Sequence, residues 1–287
     1  MQYIFIGMGS LLAILFMVQM RKVKKFEPLV ENLDSNIYPF NALYIVGFAW
    51  SSTKLLRLKG KTALDLIQQA SMLYEPQYAE YYANVVWAQM LTLVHLFAAV
   101  TFMMAGIMYD NATFMLIVGF FMCALIAAYS LQNMKNKLSK RTEECERQLP
   151  EVVSTMAVLV NSGMVLREAW NRVAENGIGA FYELMRRTSE NMRNGYSDAE
   201  ALLLFGKTSN STEIKKFTSA LLQSMEKGGA ELSVFLARQS SELWSTKRQH
   251  MLQSGEKAAT KLLLPIVLIF VGIIIIVITA AFAGSLF

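Results

Sequence analysis

The residue types that most often carry chemistry are sparse in this chain and badly spaced for joint work. There are two histidines, His95 and His250. His95 lies in a long charge-free run and His250 in a charged segment, and neither has a Cys, Asp or Glu at metal-ligand spacing. With no acidic residue in its run, His95 reads as a neutral imidazole bonded to a neighbouring helix, not as a proton relay. His250 reads as a surface residue. Cys123 and Cys145, the only cysteines, suit neither a disulfide nor a metal site. Glu143, Glu144, Glu146 and Glu151 could hold a cation, but Lys140, Arg141 and Arg147 are interleaved with them, which favours a solvated face of mixed charge. Arg186, Arg187 and Arg193 could meet an acidic partner, with solvation again the simpler reading. The step Gly228–Gly229 invites a phosphate-loop reading, but no Lys-Ser/Thr follows it and no strand precedes it. It reads as a helix C-terminus in which one glycine turns left-handed. No catalytic, cofactor or metal residue is expected, and the chain reads as a non-enzyme.

The elements available to position any site are helices, many of them apolar. The chain has 287 residues, 54% hydrophobic and 17% charged. Residues 1–20, 81–109, 111–134 and 262–287 carry no charge at all. A helix needs about 20 apolar residues to cross a bilayer, so all four runs qualify by length. Eight of the 27 Lys and Arg fall in 21–80, and the other nineteen in 135–261. Basic residues stay on the cytoplasmic side, so the expectation is a four-span protein with both termini outside and 21–80 and 135–261 cytoplasmic. The net charge of +5 then reflects topology and a bilayer, not nucleic acid. The cluster Arg21, Lys22, Lys24 and Lys25 follows the first span, the flank of a reverse signal anchor and not of a cleaved signal peptide.

Within 21–80, Thr62 and Asp65 suggest a helix cap, and residues 40–50 suggest a buried or interfacial helix too short to span. Tyr74, Tyr78, Tyr81, Tyr82 and Trp87 stand where an interfacial aromatic belt belongs. Helical period dominates 135–261. Leu149, Val152, Val153, Met156 and Val160 share one face, as do Leu166, Ala169, Trp170 and Val173. Phe181, Leu184, Met185 and Thr188 repeat the pattern, as do Ile214, Phe217, Leu221, Leu222 and Met225, and Leu232, Phe235 and Leu236 begin another stripe. Gly163, Gly177, Gly195 and Gly228–Gly229 punctuate these stripes. Ser197 with Glu200 reads as a capping box, and Asn210 with Glu213 as a similar one. The fold class is all-α: four transmembrane helices and a cytoplasmic antiparallel bundle of about six. The last helix meets no turn chemistry before Lys261, so it is expected to continue into 262–287, with Pro265 bending it.

The run ERQLPEVVSTMAVLVNSGMVLREAW (146–170) resembles the opening of the cytoplasmic domain in the type II secretion F family, with Pro150, Gly163, Glu168 and Ala169 matching its pattern. SENMRNGYSDAEAL (189–202) matches its acidic helix, glycine turn and restart through Glu190, Gly195 and Ala199. KFTSALLQSMEKGGAELSVFLARQSSELWSTKRQ (216–249) matches a glycine hinge at Gly228 and Gly229, followed by a helix running into basic residues. EKAATKLLLPIVLIF (256–270), with Pro265, looks like the membrane entry of the Tad/Flp pilus subgroup, TadC-like in preference to TadB-like. The double glycine and KTSNSTE (207–213) depart from the TadC pattern. The resemblance covers about 135–287 well and the first 88 residues loosely.

The resemblance implies an inner-membrane platform protein for a type IV pilus, without an active site. Its partners would be a TadB-like sister platform protein, a hexameric TadA-like secretion ATPase and pilin subunits, in a homo- or hetero-oligomer. Pro150, Gly163, Glu168, Glu190, Gly195, Gly228, Gly229 and Pro265 become candidate hinge and partner-interaction residues. The rival readings are a small transporter or channel, which four spans and His95 permit, and a membrane-anchored signalling enzyme, which the missing phosphate loop disfavours.

Overall fold

The computed structural model describes residues 2–22, 26–31, 33–34, 38–53 and 56–283, with backbone only at Lys22, 258–264 and 280–283. All regular structure among them is helical. The helices are α1 (Gln2–Lys22), α2 (Glu27–Glu31), α3 (Tyr44–Ser51), α4 (Gly60–Leu73), α5 (Ala79–Ile107), α6 (Ala112–Asn161), α7 (Leu166–Asn176), α8 (Ala180–Arg193), α9 (Asp198–Thr208), α10 (Thr212–Lys227) and α11 (Gly229–Ala283). The stretches Gln2–Arg21, Pro76–Ile107 and Tyr109–Asn161 are long and apolar enough to cross a membrane. Pro265–Thr279 is a shorter apolar helical stretch, and the residues beside it lie partly outside the described side chains.

The chain divides into two units, residues 1–144 with 207–211, and 145–206 with 212–287. In the first, α1 and α3 lie against α5 at very short range. A Cβ on Gly47 of α3 would stand 1.9 Å from the Ala88 carbonyl oxygen, and one on Gly9 of α1 would stand 2.8 Å from the Met103 nitrogen. Gly106 meets Ile6, and Gly119 meets Thr101, with the same economy of space. Apolar helices in an apolar solvent gain little from hydrophobic burial, so close backbone approach at small residues supplies the contact instead. Residues 40–50, expected as one helix, form a 3-10 turn (Asn41–Leu43) and then α3, whose Tyr44, Val46 and Phe48 are buried. Two small cores complete the unit, one around Tyr38, Tyr44, Phe48 and Val85, the other around Leu66, Ala70, Ala83 and Met134.

Local expectations shift in two places. Thr62 does not cap α4, which starts at Gly60 with Lys59 before it and no side-chain cap bond. Tyr74 and Tyr82 do not simply face outward: their rings stack at 3.6 Å and the Tyr74 hydroxyl bonds that of Tyr38 at 3.0 Å. Trp87 donates to the Leu56 carbonyl at 2.7 Å, and Tyr78 is exposed.

The second unit has one core, to which the end of α6 and all of α7 to α11 contribute. Every residue of the stripe Leu149, Val152, Val153, Met156 and Val160 is buried, as are Phe181, Leu184, Met185, Ile214, Phe217, Leu221, Leu232, Phe235 and Leu236. Trp170 packs edge-on against Phe205 at 4.9 Å, Phe205 against Phe181 at 5.2 Å, and the Trp170 indole donates to the Met185 carbonyl at 3.1 Å. Burial of such aromatics removes the largest apolar areas from water, and the indole keeps a partner for its one polar atom.

Two long helices run through these arrangements. In α6 the helix does not stop where the apolar run ends, nor at Pro150, which is buried inside it. Proline there removes one backbone donor without ending the helix, because the flanking stripe fixes both turns in the core. In α11 the helix continues from the core past Gly255 and Pro265 to Ala283, as expected from a stretch without turn chemistry before Lys261.

Candidate partner-interaction surface

The helices of the second unit end in a pattern. The Arg167 guanidinium, in the first turn of α7, forms an ion pair with Asp198 at the start of α9, its Nε 2.8 Å from the carboxylate. Ser233, in the first turns of α11, donates to the Asn161 side chain at the end of α6, at 3.0 Å. Leu166, Met192, Asp198 and Met225 line one small cavity. The ends of α6, α8 and α10 and the starts of α7, α9 and α11 therefore gather at one end of the unit.

Each helix that ends there stops on a left-handed glycine: φ is +96° at Gly163, +101° at Gly195 and +107° at Gly228. At Gly163 the Met164 N–H bonds the Leu159 carbonyl at 3.1 Å and the Gly163 N–H bonds that of Val160 at 3.0 Å, the paired bonds of a Schellman cap. At Gly228 a single residue separates α10 from α11: its N–H donates to Met225 and its carbonyl accepts from Leu232. A Cβ at Gly163, Gly195, Gly228 or Gly229 would meet nothing within 4 Å, so backbone conformation and not crowding selects glycine at the three left-handed positions.

Most of the sequence-derived candidates fall at this end. Gly163, Gly195, Gly228 and Gly229 make its turns; Glu168 lies exposed in the first turn of α7 and Glu190 exposed near the end of α8. The expected capping box also forms here. Ser197 Oγ and N–H both donate to the Glu200 carboxylate, at 2.8 and 3.0 Å, and Glu200 N–H donates back to Ser197 Oγ at 3.2 Å. Those bonds, the hydroxyl's first, hold the Glu200 carboxyl below its ordinary value. Val165 and Tyr196 add exposed apolar surface to the same end.

Pro150 and Pro265 are elsewhere. Pro150 lines a cleft of about 490 Å³ with Glu146, Arg147, Glu213, Lys247 and His250. There the Lys247 ammonium donates to the Arg147 carbonyl at 3.4 Å, beside the proline that weakens that stretch of helix. Pro265 lies exposed inside α11, at the head of the stretch in which Ile266 to Phe270 and Ile273 to Ile278 are exposed all round.

Other polar groups do structural work. Arg186 donates to the Ala174 and Gly177 carbonyls at 2.8 and 3.1 Å and so closes the end of α7, while Arg187 pairs with Glu183 one turn away at 2.9 Å. Gln148 accepts from the Phe181 N–H at 3.0 Å and donates to the Ile178 carbonyl at 3.1 Å, fixing the turn before α8. Glu151 takes the Tyr182 hydroxyl; burial first, then the Glu151 charge, raises that phenol. Asn210 is not the cap of α10. It takes φ +57°, its amide donates to the Thr142 hydroxyl at 3.4 Å, and α10 begins two residues later. His95 Nε2 lies 3.0 Å from the Leu12 carbonyl, between the rings of Phe16 and Trp50. His250 is exposed in the cleft beside Pro150. Neither cysteine forms a disulfide, and no group of three or more His, Cys, Asp or Glu suited to a metal occurs among the described residues. Sequence reasoning had no signal for Gln148 or Lys247 and read Arg186 as a solvated or partner-facing cation, since each bonds a backbone carbonyl or N–H contributed by another helix or turn.

Residues 152–283 match the family model described as Type II secretion system (T2SS), protein F. The match supports that family for this part of the chain, a domain found in type II secretion and type IV pilus platform proteins. No curated protein and no solved structure matched the chain.

Proposed function

We propose that the chain is an inner-membrane platform protein of a Tad/Flp-type pilus, TadC-like, which passes motion from a cytoplasmic secretion ATPase to pilins leaving the membrane. The observation that carries this reading is α11: one helix begins at the glycine turn of the helical core and runs without a break into an all-round apolar stretch, within the residues that match the family model. A load applied at the turn end would travel along that helix, since an α-helix resists shortening through its ladder of hydrogen bonds, of which Pro265 removes one. The protein has no active site of its own in this reading. Four spans place both termini outside, because the basic residues all fall in the two segments assigned to the cytoplasm.

The turn end of the core is the surface offered to the ATPase. Its chemistry is polar and mixed, with Glu168, Arg167, Glu190 and Arg193 around exposed Val165 and Tyr196, which suits a contact that must engage and release. Chromosomal replacement of Gly228 and Gly229 by alanine, with piliation scored by electron microscopy, tests the reading. Loss of filaments with normal amounts of membrane-inserted protein supports it. Normal filaments in that strain, or in a strain lacking the protein altogether, would end it. Co-purification of the full-length protein with an ATPase, abolished by Glu168→Arg with Glu190→Arg, is the expected biochemical counterpart.

A further inference from the structure

An asparagine followed by glycine is prone to lose its side-chain amide to attack by the next backbone nitrogen, because glycine puts no side chain in the way. The sequence holds this pair twice, at Asn176–Gly177 and Asn194–Gly195. Both stand at helix ends of the second unit: Asn176 is the last residue of α7, and Asn194 the first after α8. Both asparagines are exposed, yet their surroundings differ. The Asn176 amide donates to the Arg172 carbonyl at 2.7 Å. Arg186 holds the Ala174 and Gly177 carbonyls to either side of it, at 2.8 and 3.1 Å. The Tyr182 ring lies so close to Gly177 that a Cβ there would overlap it. Around Asn194 no such restraint exists. Its side-chain amide and the Gly195 N–H form no hydrogen bond among the described residues, and Gly195 faces open space.

The reaction needs only water and a solvent base. The Gly195 nitrogen gives its proton to that base and attacks Asn194 Cγ. The new C–N bond closes a succinimide ring, the Cγ–Nδ2 bond breaks, and the amide leaves with a proton as ammonia. Water then opens either ring carbonyl and leaves aspartate or isoaspartate at position 194. The attack requires ψ of Asn194 to turn away from its 8°, so the turn must open first. At Asn194 that opening breaks the capping bond from the Tyr196 N–H to the Asn191 carbonyl, 3.1 Å long. At Asn176 it breaks the side-chain bond, displaces Arg186 and moves Gly177 against the Tyr182 ring. We propose that Asn194 is a site of spontaneous deamidation in the folded protein, and that Asn176, with the same sequence signal, is protected. The product sets a carboxylate at the C-terminal end of α8, beside Arg193 and one turn from Glu190, where the helix dipole opposes it. The site needs only the folded second unit and is independent of any role in pili.

The test holds the full-length protein in detergent at mildly alkaline pH in heavy-oxygen water. Digestion and mass spectrometry follow in ordinary water, so that conversion during digestion carries no label. Trypsin releases the two asparagines on separate peptides, 173–186 and 194–207, neither with another asparagine. In the folded protein Asn194 should convert at least about fivefold faster than Asn176, the worth of one hydrogen bond that Asn176 must break. Its rate should rise with pH, since the attacking nitrogen must lose its proton, and both aspartate and isoaspartate should form. In guanidinium, where the surroundings are gone, the two asparagines should convert at similar rates. Equal rates in the folded protein, a faster Asn176, an Asn194 that converts only when unfolded, or aspartate without isoaspartate would overturn the proposal.

Discussion

In the first unit, Gly9, Gly47, Gly106 and Gly119 sit where two helices touch; in the second, Gly163, Gly195 and Gly228 sit where one helix stops, although Gly206 of α9 also packs closely, against Thr218 of α10. Gly47 leaves its missing Cβ to the Ala88 carbonyl, whereas Gly228 faces open space at φ +107°. The same residue type answers two different demands. Apolar helices gain contact energy where small residues let their backbones come together. Helices that bury a wide apolar stripe, as Leu149 to Val160 and Ile214 to Leu221 do, gain it through side chains and need glycine mainly to reverse the chain between stripes. The first unit is therefore sensitive to added volume, and the second to lost volume and to backbone handedness.

That contrast can be broken by substitution. The largest effect should come from removing volume in the second unit: Trp170→Ala should cost about 3–5 kcal/mol, since it empties a site closed by Phe205 and leaves the Met185 carbonyl without its indole donor. Thermal unfolding and trypsin cleavage within residues 145–236 of the detergent-solubilised protein measure it. Next, adding volume in the first unit, Gly47→Ala, should cost about 1–3 kcal/mol or more, because the obstacle is the backbone of α5 and not a movable side chain. Then Gly228→Ala should cost about 1–2 kcal/mol for its left-handed backbone, while Gly229→Ala, in the first helical turn, should be neutral or stabilising by up to about 1 kcal/mol. Asparagine sharpens the comparison. It tolerates the left-handed region, so Gly228→Asn should recover much of the alanine loss, while Gly47→Asn should be worse than Gly47→Ala. Identical rankings at both positions would show that the two glycines serve one purpose.

The smallest effect concerns the capping box. Ser197→Ala should cost about 1 kcal/mol of stability in the second unit. The Glu200 carboxyl is depressed in the folded state from its ordinary 4.5, so the unfolded chain binds the proton more readily. Its contribution is complete above about 4.5 and is lost as pH falls through the lower, folded value. Unfolding followed from neutral to acid pH should show that loss in the wild type, and Glu200→Gln should flatten that part of the profile.

Much of the second unit was legible because its signals are local. A stripe at helical period needs only its own neighbours in sequence, and nearly every residue assigned to one is buried; Leu166, Leu222 and Met225 are the half-buried exceptions. Ser197 and Glu200 form their box because both partners lie within four residues. Asn210 and Thr62 carried equally good local signals and did not cap. Thr142 claims the Asn210 side chain from 68 residues away, and α4 gains a turn at Gly60 before Thr62 can act. Pro150 was legible as a marker but not as a residue inside a helix that runs from Ala112 to Asn161, since a proline reads alike at a helix start and in a braced interior.

The sequence by itself determined the apolar runs, the amphipathic faces and the course of α11 as far as Lys261, because charge, period and the lack of turn chemistry act over a few turns of one helix. Only the tertiary structure decided which glycines separate helices and which reverse them, and that three left-handed turns meet at one end of the core. Each of those facts joins residues far apart along the chain. A pattern read along one helix fixes which face is apolar, but not which partner covers it.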